Sequence, residues 1–371
     1  MNPQLVLVGG GHAHMVTLAN LHYFTRKGIH VTVIQPSEHH YYSGMGPGML
    51  GKTYSPEEIR FATRKVVEKK GGTFVKGKVS ALDPEKKEVL LESGDRIFYD
   101  AVSFNAGSFI PMDIVSGETA NLFPVKPIES LKTAREQIIS LSEQQPVRVA
   151  VIGGGPSAVE ISGNVWRLGD RFCRHPPLIT LFCGARLLSR APQKVGLLAG
   201  KSLEKRGIDI RFNTPVDKIE KNRIFLKSGA VEEADIIFLA TGIKPSNIFS
   251  NSGVPTGPDG GLLVNRFLQN PEYPEIFGGG DCIYFKDQPL DKVGVYAVRQ
   301  NPVLYQNLMA YFDNAPLTPF EPGGDYLLIY NLGDGTGIFY KWSIMFGGRP
   351  AFIIKDYIDR KFMAKFKASE K

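Results

Sequence analysis

The sequence predicts an α/β protein of two parallel, helix-flanked sheets with a small C-terminal cap, and three observations carry this. Leu5-Val6-Leu7-Val8 runs into Gly9-Gly10-Gly11-His12-Ala13-His14. Val149-Ala150-Val151-Ile152 runs into Gly153-Gly154-Gly155-Pro156-Ser157-Ala158-Val159-Glu160, 144 residues later. Each apolar, β-branched run reads as a buried parallel strand that ends in glycines and passes into a helix-like stretch. Beyond about residue 319, two apolar segments flank Gly333-Asp334-Gly335-Thr336, which reads as a hairpin.

Composition narrows the classes. At 371 residues and 43% hydrophobic content the chain can bury a large core and divides into two or three domains. Its 40 glycines cluster at turns rather than in a low-complexity tract. Three irregularly spaced cysteines (Cys173, Cys183 and Cys282) form neither a disulfide framework nor a zinc pattern, which suits a reducing cytoplasm. His39 and His40 lack partners at ligand spacing, so no metal is expected. No apolar run reaches the ~20 residues needed to span a bilayer, and the chain enters its first strand at once, so no signal peptide is expected. The net charge of +7 calls for anionic partners. No segment resembles a nucleic-acid module, which leaves cofactor phosphates and lipid headgroups.

The glycines specify chemistry. One makes a tight turn, the next admits a pyrophosphate to the backbone N–H groups, and the helix N-terminus adds partial positive charge. Two such signatures imply two bound dinucleotides and electrons passing between them. In the first unit, residues 12–24 read as the helix and 29–34 as the second strand. Gln35 stands where an acid usually holds a ribose hydroxyl, and His14 replaces the third glycine. Downstream, Ile276-Phe277-Gly278-Gly279-Gly280-Asp281-Cys282 brings a carboxylate to a strand end, suited to accept hydrogen bonds from ribityl hydroxyls. Gly294 to Gln300 reads as a helix start whose N–H groups face developing negative charge. Ser103-Phe104-Asn105-Ala106-Gly107-Ser108 and Leu239-Ala240-Thr241-Gly242 form a matched pair of strand ends where the chain crosses between domains.

In the second unit Gly153, Gly155 and Ala158 fill the fingerprint, with Ser157 at the helix start. Residues 179–182 form the next strand, which ends in Cys183-Gly184 rather than an acid, with Arg186 and Arg190 beyond. Lacking a carboxylate to repel a 2′-phosphate, and with guanidiniums nearby, the site is expected to take NAD(P)H, with a slight lean to NADPH. The arginines equally read as solvated loop charges.

These motifs make the chain resemble the two-dinucleotide flavoproteins of the pyridine nucleotide–disulfide oxidoreductase superfamily. The nearest branch holds type II NADH dehydrogenases and sulfide:quinone oxidoreductases. More narrowly, Tyr42-Ser43-Gly44-Met45-Gly46-Pro47-Gly48, Val125-Lys126-Pro127, residues 294–304 and residues 355–363 resemble the flavin oxidoreductase found fused to selenophosphate synthetase, here expected as a free-standing version. The resemblance implies a glutathione-reductase-like pair of Rossmann-like three-layer domains with a C-terminal α+β cap. It implies FAD at the first site, with Gly9, Gly11, His12, Ala13 and His14 at the pyrophosphate and Gln35 at the ribose. Val79 would contact adenine; Ser43, Ala106, Gly107, Gly280, Asp281, Tyr296 and Ala297 would contact the remainder of the flavin dinucleotide. NAD(P)H would occupy Gly153, Gly155, Ser157, Ala158, Arg186 and Gly242. Glu160 is then a candidate beside the nicotinamide, or a plain helix glutamate. Lys126 is a candidate cation beside the ring, or a linker lysine. Gln300 and the 42–49 loop would line the acceptor side.

Disulfide reductases of this superfamily carry a close cysteine pair in the flavin domain, and no cysteine precedes Cys173. Sulfide:quinone enzymes need thiols that this chain lacks. A diffusible acceptor, a quinone above all, remains, with electron supply to selenium or sulfur chemistry, or a redox sensor, as alternatives. Ile354, Ile358, Phe362 and Phe366 recur every four residues among Lys355, Arg360, Lys361, Lys365, Lys367 and Lys371, a basic amphipathic helix. It would lie on a membrane, making the protein peripheral on the cytoplasmic face, or pack on the preceding strands or in a homodimer. The expected domains are 1–118 with 237–315 for FAD, 119–236 for NAD(P), and 316–371 for the cap.

Overall fold

A computed structural model describes residues 2–117 and 119–370. The first apolar run forms the strand Gln4–Val8 at the centre of a parallel sheet, with Leu5, Val6 and Leu7 fully buried. Continuous apolar character is what a strand covered on both faces requires. Each such side chain contributes roughly 1.5–3 kcal/mol on burial. In spatial order the sheet runs Ile276–Gly278, Ala101–Phe104, Gln4–Val8, His30–Gln35, Thr73–Lys76. The second sheet repeats the plan with Leu122–Pro124, Ile236–Leu239, Arg148–Ile152, Leu178–Phe182 and Asp209–Arg211, again all parallel. In each, the glycine-bearing strand is central, so its C-terminal end opens where the strand order reverses, the place where such sheets bind ligands. An antiparallel flap accompanies the first unit (Val79–Asp83, Glu88–Leu91, Arg96–Phe98), and a four-stranded sheet containing Val115–Ser116 and Val216–Glu220 accompanies the second.

Several boundaries differ from the sequence reading. Ile236–Leu239 pairs with Arg148–Ile152 in the second sheet, so the return to the first unit falls after residue 239 rather than at 237. Its four side chains are all buried there, which fixes the assignment. The two crossings meet in a short ladder, Ser108–Phe109 against Lys244–Pro245. Between residues 96 and 104 the chain breaks at Tyr99-Asp100 into a flap strand and a central-sheet strand. The first helix is broken into His12–His14, Met15–Ala19 and His22–Arg26. The His14 ring is turned inward at the break, and the Asn301 side chain accepts the Val16 N–H.

The cap is a three-stranded meander, Leu328–Asn331, Gly337–Lys341 and Ile344–Gly348, followed by the helix Arg349–Lys367. The third strand extends the expected hairpin, and Trp342, at φ +54°, makes the turn between it and the second. The meander docks on the second unit's long helix, Pro156–Phe172, where Gly163 and Gly333 touch through their backbones. A Cβ on Gly333 would lie 2.0 Å from the Gly163 carbonyl oxygen. The cap helix reaches back over the first unit, so the cap bridges both.

Candidate functional site

The two glycine loops are built alike, bond for bond. Gly9 N–H donates to Ile34 O at 2.8 Å, and Gly153 N–H donates to Phe182 O at 2.9 Å. Asn105 N–H donates to Val8 O and Ala240 N–H to Ile152 O, both at 2.8 Å. A Cβ on Gly9 would meet Asn105 O at 2.3 Å, and one on Gly153 would meet Ala240 O at 2.2 Å. Both residues have positive φ, +88° and +139°. Close backbone approach and a left-handed turn therefore both demand glycine here. Gly11 and Gly155, extended at φ −74° and −84°, cap the helices that follow.

Around the first loop, strand ends bring charged groups together. Asp281, in the turn after Ile276–Gly278, accepts hydrogen bonds from Lys126 Nζ at 2.6 Å and Ser108 Oγ at 2.9 Å; Lys126 also donates to Ser108 Oγ at 2.7 Å. Burial pushes the Asp281 carboxyl up, but Lys126, Ser108 and Lys292 outweigh it and hold it below the usual carboxylate range. His12 Nε2 is buried without a hydrogen-bond partner. Burial draws its pKa down to about 4, with Asp281 opposing and Lys126 assisting, so its ring is neutral. Gly107 and Gly294 present open space where a Cβ would stand, and Gly294 opens the 19-residue helix Gly294–Phe312. Tyr296 packs edge-on against Tyr326, and Ala297 is buried. Val79 begins the flap, Ala106 precedes Gly107 in the crossing loop, and Ser43 is exposed in the turn below the cap helix.

Five of the residues expected at the ligands are engaged or enclosed within the protein itself. His14 is wholly buried: Nδ1–H donates to the Gly9 carbonyl at 2.6 Å, so Nε2 accepts from Ser103 Oγ at 2.8 Å. It braces the loop instead of facing a pyrophosphate, and burial draws its pKa to about 4. Gln35 accepts the Gly10 N–H at 2.9 Å and donates both amide hydrogens to Ser37 O and His39 O, leaving none for a ribose. Gln300, 1% exposed, accepts the Gly280 N–H at 2.7 Å and is a positioning residue. Ala13 and Ala158 are fully buried and allow close helix–sheet packing rather than ligand contact.

Glu160 lies beneath the cap, its Oε1 accepting the Asn331 N–H at 2.8 Å. Burial raises its pKa to about 7 against the opposing pull of Lys355 and the Asn331 N–H, with Asp359 adding to the rise. Lys355 Nζ donates to Asp359 at 2.8 Å and to Gly44 O at 2.8 Å, and Tyr42 OH donates to Asp359 at 2.9 Å. The cap helix thus turns Lys355, Asp359, Met363 and Phe366 inward, while Ile358 of the expected apolar stripe is 41% exposed. Self-neutralising charge lets this mixed face be buried. Phe362 stacks on His12 with ring centroids 5.3 Å apart. Sequence periodicity missed the burial of Lys355 and Asp359 because charge on a helix reads as a solvated face. Asn105, which donates to Gly279 O at 2.8 Å and ties two strand ends, was also missed.

The second cleft is open. A Cβ on Gly155, Gly184 or Gly242 would meet no atom within 4 Å, and Ser157 is exposed on the first helical turn. Gly184 and Gly242 follow the two strands that flank Arg148–Ile152, so the open positions lie on either side of the loop at Gly153–Gly155. Arg186 is exposed on the same rim.

A model of the pyridine nucleotide-disulphide oxidoreductase family matches residues 3–308. The chain is 24% identical over 352 residues to ferroptosis suppressor protein 1 of Taeniopygia guttata, covering 90% of this chain and 88% of that one. It is 23% identical to a type II NADH:quinone oxidoreductase of Staphylococcus saprophyticus, covering 98% and 95%. The solved structure of NDH2 from Plasmodium falciparum in complex with NADH shares the fold, with a TM-score of 0.84 at 14% identity, covering 100% and 97%. Duplicated glycine loops, paired sheets and the family match agree: the chain belongs to the pyridine nucleotide-disulphide oxidoreductase family.

Proposed function

We propose that the chain is an FAD-dependent oxidoreductase that takes reducing equivalents from a nicotinamide dinucleotide and delivers them to a quinone-class acceptor. The observation that carries this is the pair of identically hydrogen-bonded glycine loops, with Asp281, Lys126 and Ser108 gathered at the strand ends of the first unit. The first cleft fits a flavin dinucleotide: the unpartnered His12 Nε2 needs a hydrogen-bonding group, and Gly107 and Gly294 leave its path clear. Relatives named as NADH:quinone oxidoreductases support the same reading.

Bound flavin would supply the two-electron chemistry. The first glycine loop would hold its pyrophosphate, and ionised Asp281 would accept hydrogen bonds from the ribityl hydroxyls. Lys126 and the N-terminus of Gly294–Phe312 would set positive charge beside the ring system. The second loop would hold the nicotinamide dinucleotide by its pyrophosphate. Glu160, with a pKa of about 7, holds or releases a proton near neutrality, and Lys355 stands close enough to stabilise its anion.

The thiols argue against an exit through cysteine. Cys282 hydrogen-bonds to Phe104 O and Gly279 O, and burial raises its pKa to about 11; Cys183, also buried, rises to about 11. On the cap's outer surface Trp342, Ile344, Ile353, Tyr357 and Ile358 are exposed among Lys341, Lys361 and Lys365. This apolar and basic surface suits a lipid interface, from which a lipid-soluble acceptor would be drawn.

Anaerobic stopped-flow spectroscopy tests the reading. NADH or NADPH should bleach bound FAD, and a soluble quinone should restore its absorbance within the same catalytic time. A preparation that binds no flavin, or whose bound flavin neither nucleotide bleaches, would overturn it.

A further inference from the structure

Resting on that reading, we infer that the second cleft selects NADPH, with Arg186 as the residue that binds the 2′-phosphate. The strand Leu178–Phe182 ends at the place where an NADH-selective site sets a carboxylate on the ribose 2′-hydroxyl. Here the chain continues Cys183-Gly184-Ala185-Arg186, and no aspartate or glutamate occurs until Glu204. Cys183 cannot stand in, because its thiol is buried and turned toward Arg211 O, 3.6 Å away.

The loop that follows is stitched to the glycine turn. Leu188 N–H donates to Gly154 O at 2.7 Å, and a Cβ on Gly154 would sit 3.4 Å from Arg186 O. Arg186 is thereby carried on the rim of the pyrophosphate loop, where the adenosine ribose of a bound dinucleotide must lie. Its guanidinium donates to the nearby Ser189 O and has no carboxylate partner among the described residues. The neighbouring arginines are already matched. Arg190 pairs with Asp291 at 3.1 Å, while Arg211, from the adjacent strand, holds both Asp209 and Glu232. Of these three arginines, among the described residues, Arg186 alone lacks a carboxylate; it stands beside open space at Gly184, and a phosphate dianion is the ligand it fits.

Two measurements decide the matter. The first is calorimetric binding of 2′,5′-ADP and 5′-ADP to the flavin-loaded protein. The second is the ratio of kcat/KM for NADPH over NADH in flavin reduction. Wild-type protein should bind 2′,5′-ADP at least about tenfold more tightly than 5′-ADP and show a ratio of the same order. Arg186→Leu should collapse both preferences toward one, and Arg186→Lys should restore part of them. Gly184→Asp, which adds a carboxylate where its side chain meets nothing and φ is unstrained, should reverse both. Equal binding of the two ADPs by wild type, or a ratio unchanged in Arg186→Leu, overturns the inference. If neither nucleotide reduces the flavin, the proposed function fails, and the ADP comparison still decides the role of Arg186.

Discussion

At the scale of single residues, glycine positions divide into those the fold needs and those a ligand needs. Gly9 and Gly153 are fixed by backbone contact, whereas Gly155 has ordinary dihedrals (φ −84°, ψ −175°) and nothing within 4 Å of a Cβ. Gly155→Val should therefore leave Tm within about 2 °C of wild type yet lower the rate of flavin reduction by more than about tenfold, because the methyls fill the pyrophosphate's place. Glu160 makes a second prediction. Its carboxyl rises from an ordinary value of 4.5 to about 7 on folding, so the folded protein binds the proton more tightly than the unfolded chain. That stabilisation is complete below about pH 4.5 and is lost as pH climbs through 7, up to about 3 kcal/mol. Glu160→Gln should remove this slope from a plot of unfolding free energy against pH. The turn glycines Gly9 and Gly153 were legible in sequence because their spacing is what the strand-to-helix turn needs. The inward turn of His14, Gln35 and Gln300 was not, since an amide or imidazole satisfied internally looks the same in sequence as one awaiting a ligand.

Among elements, the cap helix Arg349–Lys367 is the one whose identity was legible and whose orientation was not. Its four-residue apolar repeat is real, but the buried face is chosen by Lys355 and Asp359, which neutralise each other and reach Gly44 and Tyr42. Hydrophobic periodicity scores such a pair as solvent-facing. Lys355→Met should cost about 3–5 kcal/mol in equilibrium denaturation, because Asp359 is left buried without its cation. Combining it with Asp359→Leu should recover at least half of that loss, less what the orphaned Tyr42 hydroxyl forfeits. The broken first helix makes a similar point, for the sequence marks where a helix begins more clearly than where an inward ring interrupts it.

For the molecule as a whole, two parallel sheets of one plan follow from two copies of one motif, and that was readable at once. Where the chain passes between them was less so, because a four-residue apolar strand such as Ile236–Leu239 fits either sheet until its neighbours are known. The net charge of +7 and the exposed Trp342, Ile353 and Tyr357 place a membrane prediction at this scale. Co-sedimentation with anionic vesicles should retain the wild-type protein, and the triple replacement of these residues by Ser should weaken retention roughly tenfold or more. No described helix is long and apolar enough to cross a bilayer, so attachment of this kind would be reversible by salt. The meeting of Gly163 with Gly333 has a bearing on which caps this base can accept. It works as a key and keyhole cut from bare main chain: a foreign cap could be grafted onto this base only if both partners lack side chains at the point of engagement.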